Sequence, residues 1–258
     1  MSPDRRPEYN LHPEGLTPNQ EILAAMFLDT KTAGKARKRY QNSDGSYRFE
    51  EVSRPMAIID FAIDDFEFAI TEHIKGDPSA PLSPMYINLR NLNDEVLNQV
   101  GIVINEMESS DEKRGVSHRP DLCAGIPTAG VPLAEAYSKA SGIPEKKIFN
   151  KEENDGVSRI VGNTEGDNIK LRLIDDLASQ GITKVESTKE AQAMGFDVIS
   201  FFVIVDRQQG GLERLREIVP EVKAAMTIIQ ILRFGLRTGR ITQEKYNKVA
   251  EYFQRSKA

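Results

Sequence analysis

Residues 198–205 read Val-Ile-Ser-Phe-Phe-Val-Ile-Val, an apolar run rich in β-branched and aromatic side chains. Such a run suits a parallel strand buried on both faces, because polar alternation disappears when neither face meets water. A strand of this kind needs other strands beside it and helices above and below. The sequence offers strands at Met85–Leu89, Leu122–Ile126, Lys147–Asn150, Ile169–Ile174 and Ala224–Met226. In Ile169–Ile174, apolar residues alternate with polar partners. Apolar residues at helical spacing predict helices at Ile58–Ile74, Asp94–Met107 (capped by Asn93), Pro132–Ser141 (closed by Gly142), Ile228–Leu236 and Thr242–Gln254. Thr17-Pro-Asn-Gln20 reads as a capping box with Pro18 at the first helical position, opening a helix to about Leu28. Strands and helices alternate with short loops, which predicts a doubly wound, mainly parallel α/β sheet flanked by helices. Sheets of that kind bind ligands beyond the carboxyl ends of their strands.

Composition removes several function classes. The 258 residues carry a net charge of −5, which argues against a dedicated nucleic-acid binder. A single cysteine, Cys123, allows neither a disulfide framework nor a thiolate zinc site, and the three histidines are scattered. The polar, proline-broken N-terminus is not a signal peptide, and no apolar run approaches a membrane span, so the expected compartment is the cytoplasm. Residues 1–55 read as a partly helical N-terminal extension and residues 56–258 as the main domain, with a linker-like boundary near Arg54-Pro55. In the extension, Lys31, Lys35, Arg37, Lys38 and Arg39 form a basic patch, read as a solvated helix face, that ends in the turn signal Asn42-Ser-Asp-Gly45.

Four strand ends carry the chemistry. At the first, Ile169–Ile174 stops at Asp175 and Asp176, then passes through Ser179-Gln-Gly181 and Thr183 into a helix. Backbone N–H groups and these hydroxyls suit a phosphate at a helix N-terminus. The two carboxylates suit ribose hydroxyls or, through water, Mg²⁺. Taken alone, the segment equally fits a flavodoxin-like strand end with capping acids. After the Leu122 strand, Gly125-Ile-Pro-Thr128-Ala129-Gly130 lets backbone approach an anion closely. After the Val198 strand, Asp206-Arg207-Gln-Gln-Gly-Gly211 fixes an arginine suited to a carboxylate, with a salt bridge to Asp206 or Glu213 as the alternative. The polar stretch Phe149–Arg159 reads as an irregular loop or lid.

In this order, these segments resemble the orotate phosphoribosyltransferases over roughly four-fifths of the chain, from Ile58 onward. Leu82-Ser-Pro-Met-Tyr-Ile-Asn-Leu-Arg90 is similar to the family's Ser-Pro strand beside the base pocket. Lys75-Gly76 stands where the family has a lysine near the diphosphate, with Asp77–Pro81 inserted after it. Val205-Asp-Arg-Gln-Gln-Gly-Gly211 is the most family-specific element.

The resemblance implies transfer of a phosphoribosyl group from phosphoribosyl diphosphate to orotate, with Mg²⁺, in a homodimer. It implies that Ser179, Gln180, Gly181, Ile182 and Thr183 surround the 5′-phosphate, and that Asp175 and Asp176 take the ribose hydroxyls. Lys75 and the Thr128-Ala129-Gly130 backbone would hold the diphosphate, with Mg²⁺ held mainly by the diphosphate and ribose. Tyr86 and Arg207 would hold orotate, and Lys151 would be the lid's cation, offered to the neighbouring subunit. The chain departs from the family pattern at Gln180 and Ile182, and in a lid where Glu152, Glu153 and Asp155 surround Lys151. Rival expectations are a phosphoribosyltransferase for another base and a non-catalytic regulator that binds phosphoribosyl diphosphate.

Overall fold

The structure is a computed structural model that describes residues 15–62, 68–69, 77–80, 82–154 and 157–255. Its elements are α1 (Pro18–Asp29), β1 (Lys31–Gln41), β2 (Tyr47–Ala57), β3 (Ile59–Phe61), β4 (Met85–Ile87), α2 (Asp94–Lys113), β5 (Leu122–Gly125), α3 (Gly130–Ser141), β6 (Phe149–Asn154), β7 (Val157–Gly162), β8 (Lys170–Ala178), α4 (Ile182–Ala193), β9 (Asp197–Asp206), α5 (Gly211–Arg216), β10 (Glu221–Thr227), α6 (Ile228–Arg237) and α7 (Gln243–Arg255). They divide into two compact units, residues 1–23 with 93–231 and residues 24–92 with 232–258.

The first unit is built on a four-stranded parallel sheet in the order β10-β9-β8-β5. Every residue of β9 after Asp197 is buried, as the apolar run predicts. α3 packs against β5 and β8 and also against α2, while α4 and α5 pack against β9. Leu171, Leu173, Phe201 and Val203 meet Ala191, Leu212 and Leu215 in one core cluster. Burying each of the larger side chains stabilises the fold by about 1.5–3 kcal/mol. α2 begins where Asn93 Oδ1 accepts the Val96 N–H at 2.9 Å, and it continues past the expected Met107 to Lys113. Its close approach to α3 depends on Gly101, where any Cβ would strike the Ala136 carbonyl. The capping box forms as expected: Thr17 N–H donates to Gln20 Oε1 at 2.7 Å and Gln20 N–H to Thr17 Oγ1 at 3.3 Å.

One polar residue departs from its expected environment. Arg172 lies in β8 among the polar partners of the alternation, yet it is fully buried. The sheet is covered on both faces, so no residue of the strand's middle reaches water. The guanidinium is satisfied there by an ion pair with buried Glu108 and by hydrogen bonds donated to Ser200 Oγ at 2.8 Å and to Tyr137 Oη. Lys223 completes the cluster, 3.3 Å from Glu108 and 2.6 Å from Asp111. Desolvation raises the Glu108 carboxyl above its ordinary value, with Arg172 and Lys223 opposing it. Burial likewise pushes the Tyr137 hydroxyl up to about 12. Cys123 is also pushed up to about 12 by burial, which suits the packed thiol expected there.

In the second unit the basic patch is not a helix face. Lys31–Gln41 is β1, paired antiparallel with β2 around a turn at Asn42–Ser46 in which Gly45 takes φ +83°. Arg37 and Lys38 stand opposite Glu51 and Glu50, and the Arg48 guanidinium lies 4.3 Å from the Tyr40 ring centroid. Opposite charges thus face one another across the two strands, a pairing that helical periodicity cannot register. Arg54 and Pro55 lie inside β2. The helix expected over Ile58–Ile74 is corrected at its start: Ile59–Phe61 is β3, paired antiparallel with β4. The remainder of that span lies largely outside the described residues. Met85–Ile87 forms the strand expected after Pro84, and Gly239, at φ +73°, separates α6 from α7.

Candidate functional site

The strand-end loops of β5, β8 and β9 are pressed together backbone to backbone. Ile126 N–H donates to Ile174 O at 3.0 Å, and Gly130 N–H donates to Ile126 O at 2.8 Å, so the Gly125–Gly130 loop lies on β8. A Cβ on Gly130 would collide with the Ile174 carbonyl and sit 3.3 Å from Asp175 Cα. The peptide bond between Pro127 and Thr128 is cis. On the other side, Arg207 N–H donates to Ala178 O at 2.9 Å, and a Cβ on Gly211 would meet Ser179 O at 2.5 Å. Only glycine permits these approaches. Thr128, Ala129, Gly130, Asp175, Asp176, Ser179–Thr183 and Arg207 are thereby gathered at one edge of the sheet.

Ser179, Gln180, Gly181, Ile182, Thr183 and Lys184 line a cavity of about 220 Å³. Gly181 caps α4 with φ +77° and no side-chain hydrogen bond, which leaves the helix's first N–H groups for an anion. Ile182 is 54% exposed at the cavity and offers it no polar group of its own side chain.

The acidic pair does not end its strand, because β8 continues through both residues to Ala178. Asp175 Oδ1 accepts the Asp176 N–H at 2.8 Å, and Asp176 Oδ1 accepts the Leu177 N–H at 2.7 Å. Burial pushes Asp175 up to about 6, with Lys184 opposing the rise and Asp176 adding to it. The Lys184 ammonium is 2.5 Å from Asp175 Oδ2 and 4.0 Å from Asp176 Oδ1. Sequence reasoning missed Lys184. It lies nine positions after Asp175, and only the turn at Gly181 folds it back onto the strand.

The lid expected as an irregular loop is instead a two-stranded hairpin of β6 and β7, with Lys151 opposite Ile160 and Glu152 opposite Arg159. Antiparallel pairing satisfies the backbone of this polar stretch without any apolar pattern. Lys151 and Glu152 are exposed. At the hairpin's base, Gly162 N–H donates to Glu190 Oε1 of α4 at 2.9 Å. Tyr86 belongs to the second unit, where it is half-buried with its ring centroid 5.6 Å from that of Phe68. Lys75 lies outside the described residues.

Among the described residues, no group of three or more His, Cys, Asp or Glu could hold a metal ion. Mg²⁺ often binds through one or two carboxylates plus substrate phosphates rather than in an all-protein cage. In that mode the diphosphate and ribose would supply most of the oxygens, because the Lys184 ammonium already lies against Asp175 and Asp176. Among the described residues, no helix is long and apolar enough to cross a membrane.

No protein-family model matches the sequence. The chain is 27% identical over 177 residues to an orotate phosphoribosyltransferase of Sulfurisphaera tokodaii, which covers 67% of this chain and 86% of that protein. It is 28% identical over 179 residues to an orotate phosphoribosyltransferase of Staphylothermus marinus, covering 69% of this chain and 85% of that one. Among solved structures, UMP synthase of Leishmania donovani superposes with a TM-score of 0.63 at 23% identity, over 92% of this chain and 42% of that longer one, a likeness of fold. Over most of these relatives' length the chain is thus similar to orotate phosphoribosyltransferases, and it carries that similarity on a parallel sheet whose three strand-end loops converge on an acidic pair.

Proposed function

We propose that this protein transfers the 5-phosphoribosyl group from phosphoribosyl diphosphate to orotate, giving orotidine 5′-monophosphate and diphosphate. The observation that carries the reading is the convergence of the three loops. An uncapped helix N-terminus, two carboxylates and a glycine-lined backbone turn lie side by side, in the order that a phosphate, a ribose and a diphosphate follow along the substrate.

In this reaction the bond from C1′ to the diphosphate oxygen breaks and a bond from C1′ to an orotate nitrogen forms. The transition state has oxocarbenium character, and negative charge grows on the leaving diphosphate. No protein nucleophile is required, and the work is positioning and charge neutralisation. Ser179, Gly181 and Thr183, with the backbone at Gln180 and Ile182, hold the 5′-phosphate. Asp175 and Asp176 hold the ribose hydroxyls, and the Thr128–Gly130 backbone holds the diphosphate, a role that the resemblance also implies for Lys75. Arg207 holds orotate by facing its carboxylate, a ligand that the resemblance also implies for Tyr86. Lys151 is carried on an exposed hairpin, which suits a cation that reaches the diphosphate of the neighbouring subunit in a homodimer. Mg²⁺, brought with the diphosphate, would neutralise the leaving group's charge. A cytoplasmic setting fits these substrates.

The test is formation of orotidine 5′-monophosphate from orotate and phosphoribosyl diphosphate with Mg²⁺. Turnover of orotate but not of purine bases is the expected result. Ligand binding with no product at high enzyme concentration would overturn the catalytic reading, and turnover of another base would overturn the orotate assignment.

A further inference from the structure

Lys184 has no part in the mechanism above, yet it occupies the centre of the site. It is the third residue of α4, within the first turn, where the helix dipole disfavours a cation. Its side chain is 13% exposed, against 8% for Asp175 and 20% for Asp176. A lysine in so unfavourable a place is held by something, and the contacts identify the acidic pair. Asp175 has both oxygens engaged, Oδ1 by the Asp176 N–H and Oδ2 by the ammonium. The same ammonium lies 4.0 Å from Asp176, so one cation faces both carboxylates.

A buried carboxylate with a second one beside it ordinarily protonates or recruits a metal ion. Here a tethered ammonium already sits where a divalent cation would bind. Ribose hydroxyls can still approach, because each carboxylate oxygen accepts more than one hydrogen bond and a hydroxyl can donate to it. A divalent ion cannot do so without displacing Lys184. We propose that Lys184 is the resident counter-cation of Asp175 and Asp176, and that it lets the pair bind a ribose 5-phosphate moiety without a divalent metal. This rests on the reading of the pair as the ribose site. It concerns only that half of the substrate and leaves the diphosphate with its own Mg²⁺.

The experiment is calorimetric titration with ribose 5-phosphate, which lacks the diphosphate, in EDTA and in excess Mg²⁺. Wild type and Lys184→Arg should bind it equally well in both buffers. Lys184→Met should bind about 10-fold more weakly in EDTA, about 1.4 kcal/mol, and recover with Mg²⁺. It should also take up Mn²⁺ detectable by electron paramagnetic resonance, which wild type does not. Wild-type binding that requires Mg²⁺, Lys184→Met matching wild type in EDTA, or a loss that Mg²⁺ fails to restore would each overturn the role of Lys184 and leave the ribose site standing. No ribose 5-phosphate binding to wild type in either buffer would overturn both. Should Lys184→Met fail to fold, wild type and Lys184→Arg still decide, since Mg²⁺-dependent binding by either contradicts a resident cation.

Discussion

Gly211 is the place to test whether loop convergence makes the site. An added Cβ would lie 2.5 Å from Ser179 O, 3.1 Å from Gly181 N and 3.2 Å from Ser179 C. All three are backbone atoms and cannot rotate away. The Arg207–Gly211 loop must therefore retreat from the Ser179–Gly181 backbone by about 1 Å to reach ordinary contact, straining the bond from Arg207 N–H to Ala178 O. Overpacking of this kind costs about 1–3 kcal/mol. For a chain of this size, each kcal/mol lowers Tm by about 2–4 °C. The catalytic effect is expected to be larger, because misplacement by about 1 Å can cost on the order of 100-fold in rate. Gly211→Ala should thus remain folded, with Tm a few degrees lower, and lose on the order of 100-fold in kcat/KM for orotidine 5′-monophosphate formation. Wild-type kcat/KM in this variant would refute the idea that contact between the two loops sets the site's geometry. A large loss of Tm with unchanged specific activity would show the contact to be structural alone.

Arg207→Ala should weaken orotate binding roughly 10-fold or more, from a lost charge-assisted hydrogen bond of about 1.5–3 kcal/mol, and leave phosphoribosyl diphosphate affinity unchanged in calorimetry. Equal loss for both ligands would contradict its placement on the base. Lys151→Ala should lower kcat with little change in phosphoribosyl diphosphate binding. Mixing it with an Asp175→Asn, Asp176→Asn variant should restore activity if the hairpin serves a neighbouring subunit, and an inactive mixture would argue against that. Asp175, raised from 3.8 to about 6 by burial, binds its proton more tightly folded than unfolded, so its contribution to stability is full below the unfolded value and lost as pH rises through about 6. The Tm of Asp175→Asn should therefore gain on that of wild type as pH rises across this window, and a constant difference would show that burial does not control the group. Arg172→Met leaves Glu108 buried without its partner and should cost about 3–5 kcal/mol in denaturant unfolding, whereas a loss under 1 kcal/mol would mean that Lys223 suffices.

Much of the parallel sheet was legible in the sequence because its signal is local. The apolar run of β9, the Asn93 cap of α2 and the left-handed Gly142 after α3 each write a physical requirement into a few neighbouring residues. That Asp175, Asp176 and the Ser179–Thr183 loop lie together was legible for the same reason, since a strand, two carboxylates and a glycine turn are contiguous in the chain.

Whatever depends on a partner far along the chain was not legible. The basic stretch of β1 looked like a helix face because its balancing charges, Glu50 and Glu51, lie across a turn in β2. The lid's strands carry no apolar alternation, so only their mutual hydrogen bonds reveal them. Arg172 is only a polar partner in the alternation of β8, and its enclosure by Glu108, Tyr137 and Ser200 comes from distant parts of the chain. Lys184 is one of many charged residues in the sequence, and it becomes the acidic pair's counter-ion only because α4 starts at Gly181 and turns it back onto β8. The sequence alone determined the strands and helices of the parallel-sheet unit and where the chain has groups suited to an anion. Tertiary structure alone decided which charges neutralise one another, because an ion pair depends on distance through space and not on separation along the chain.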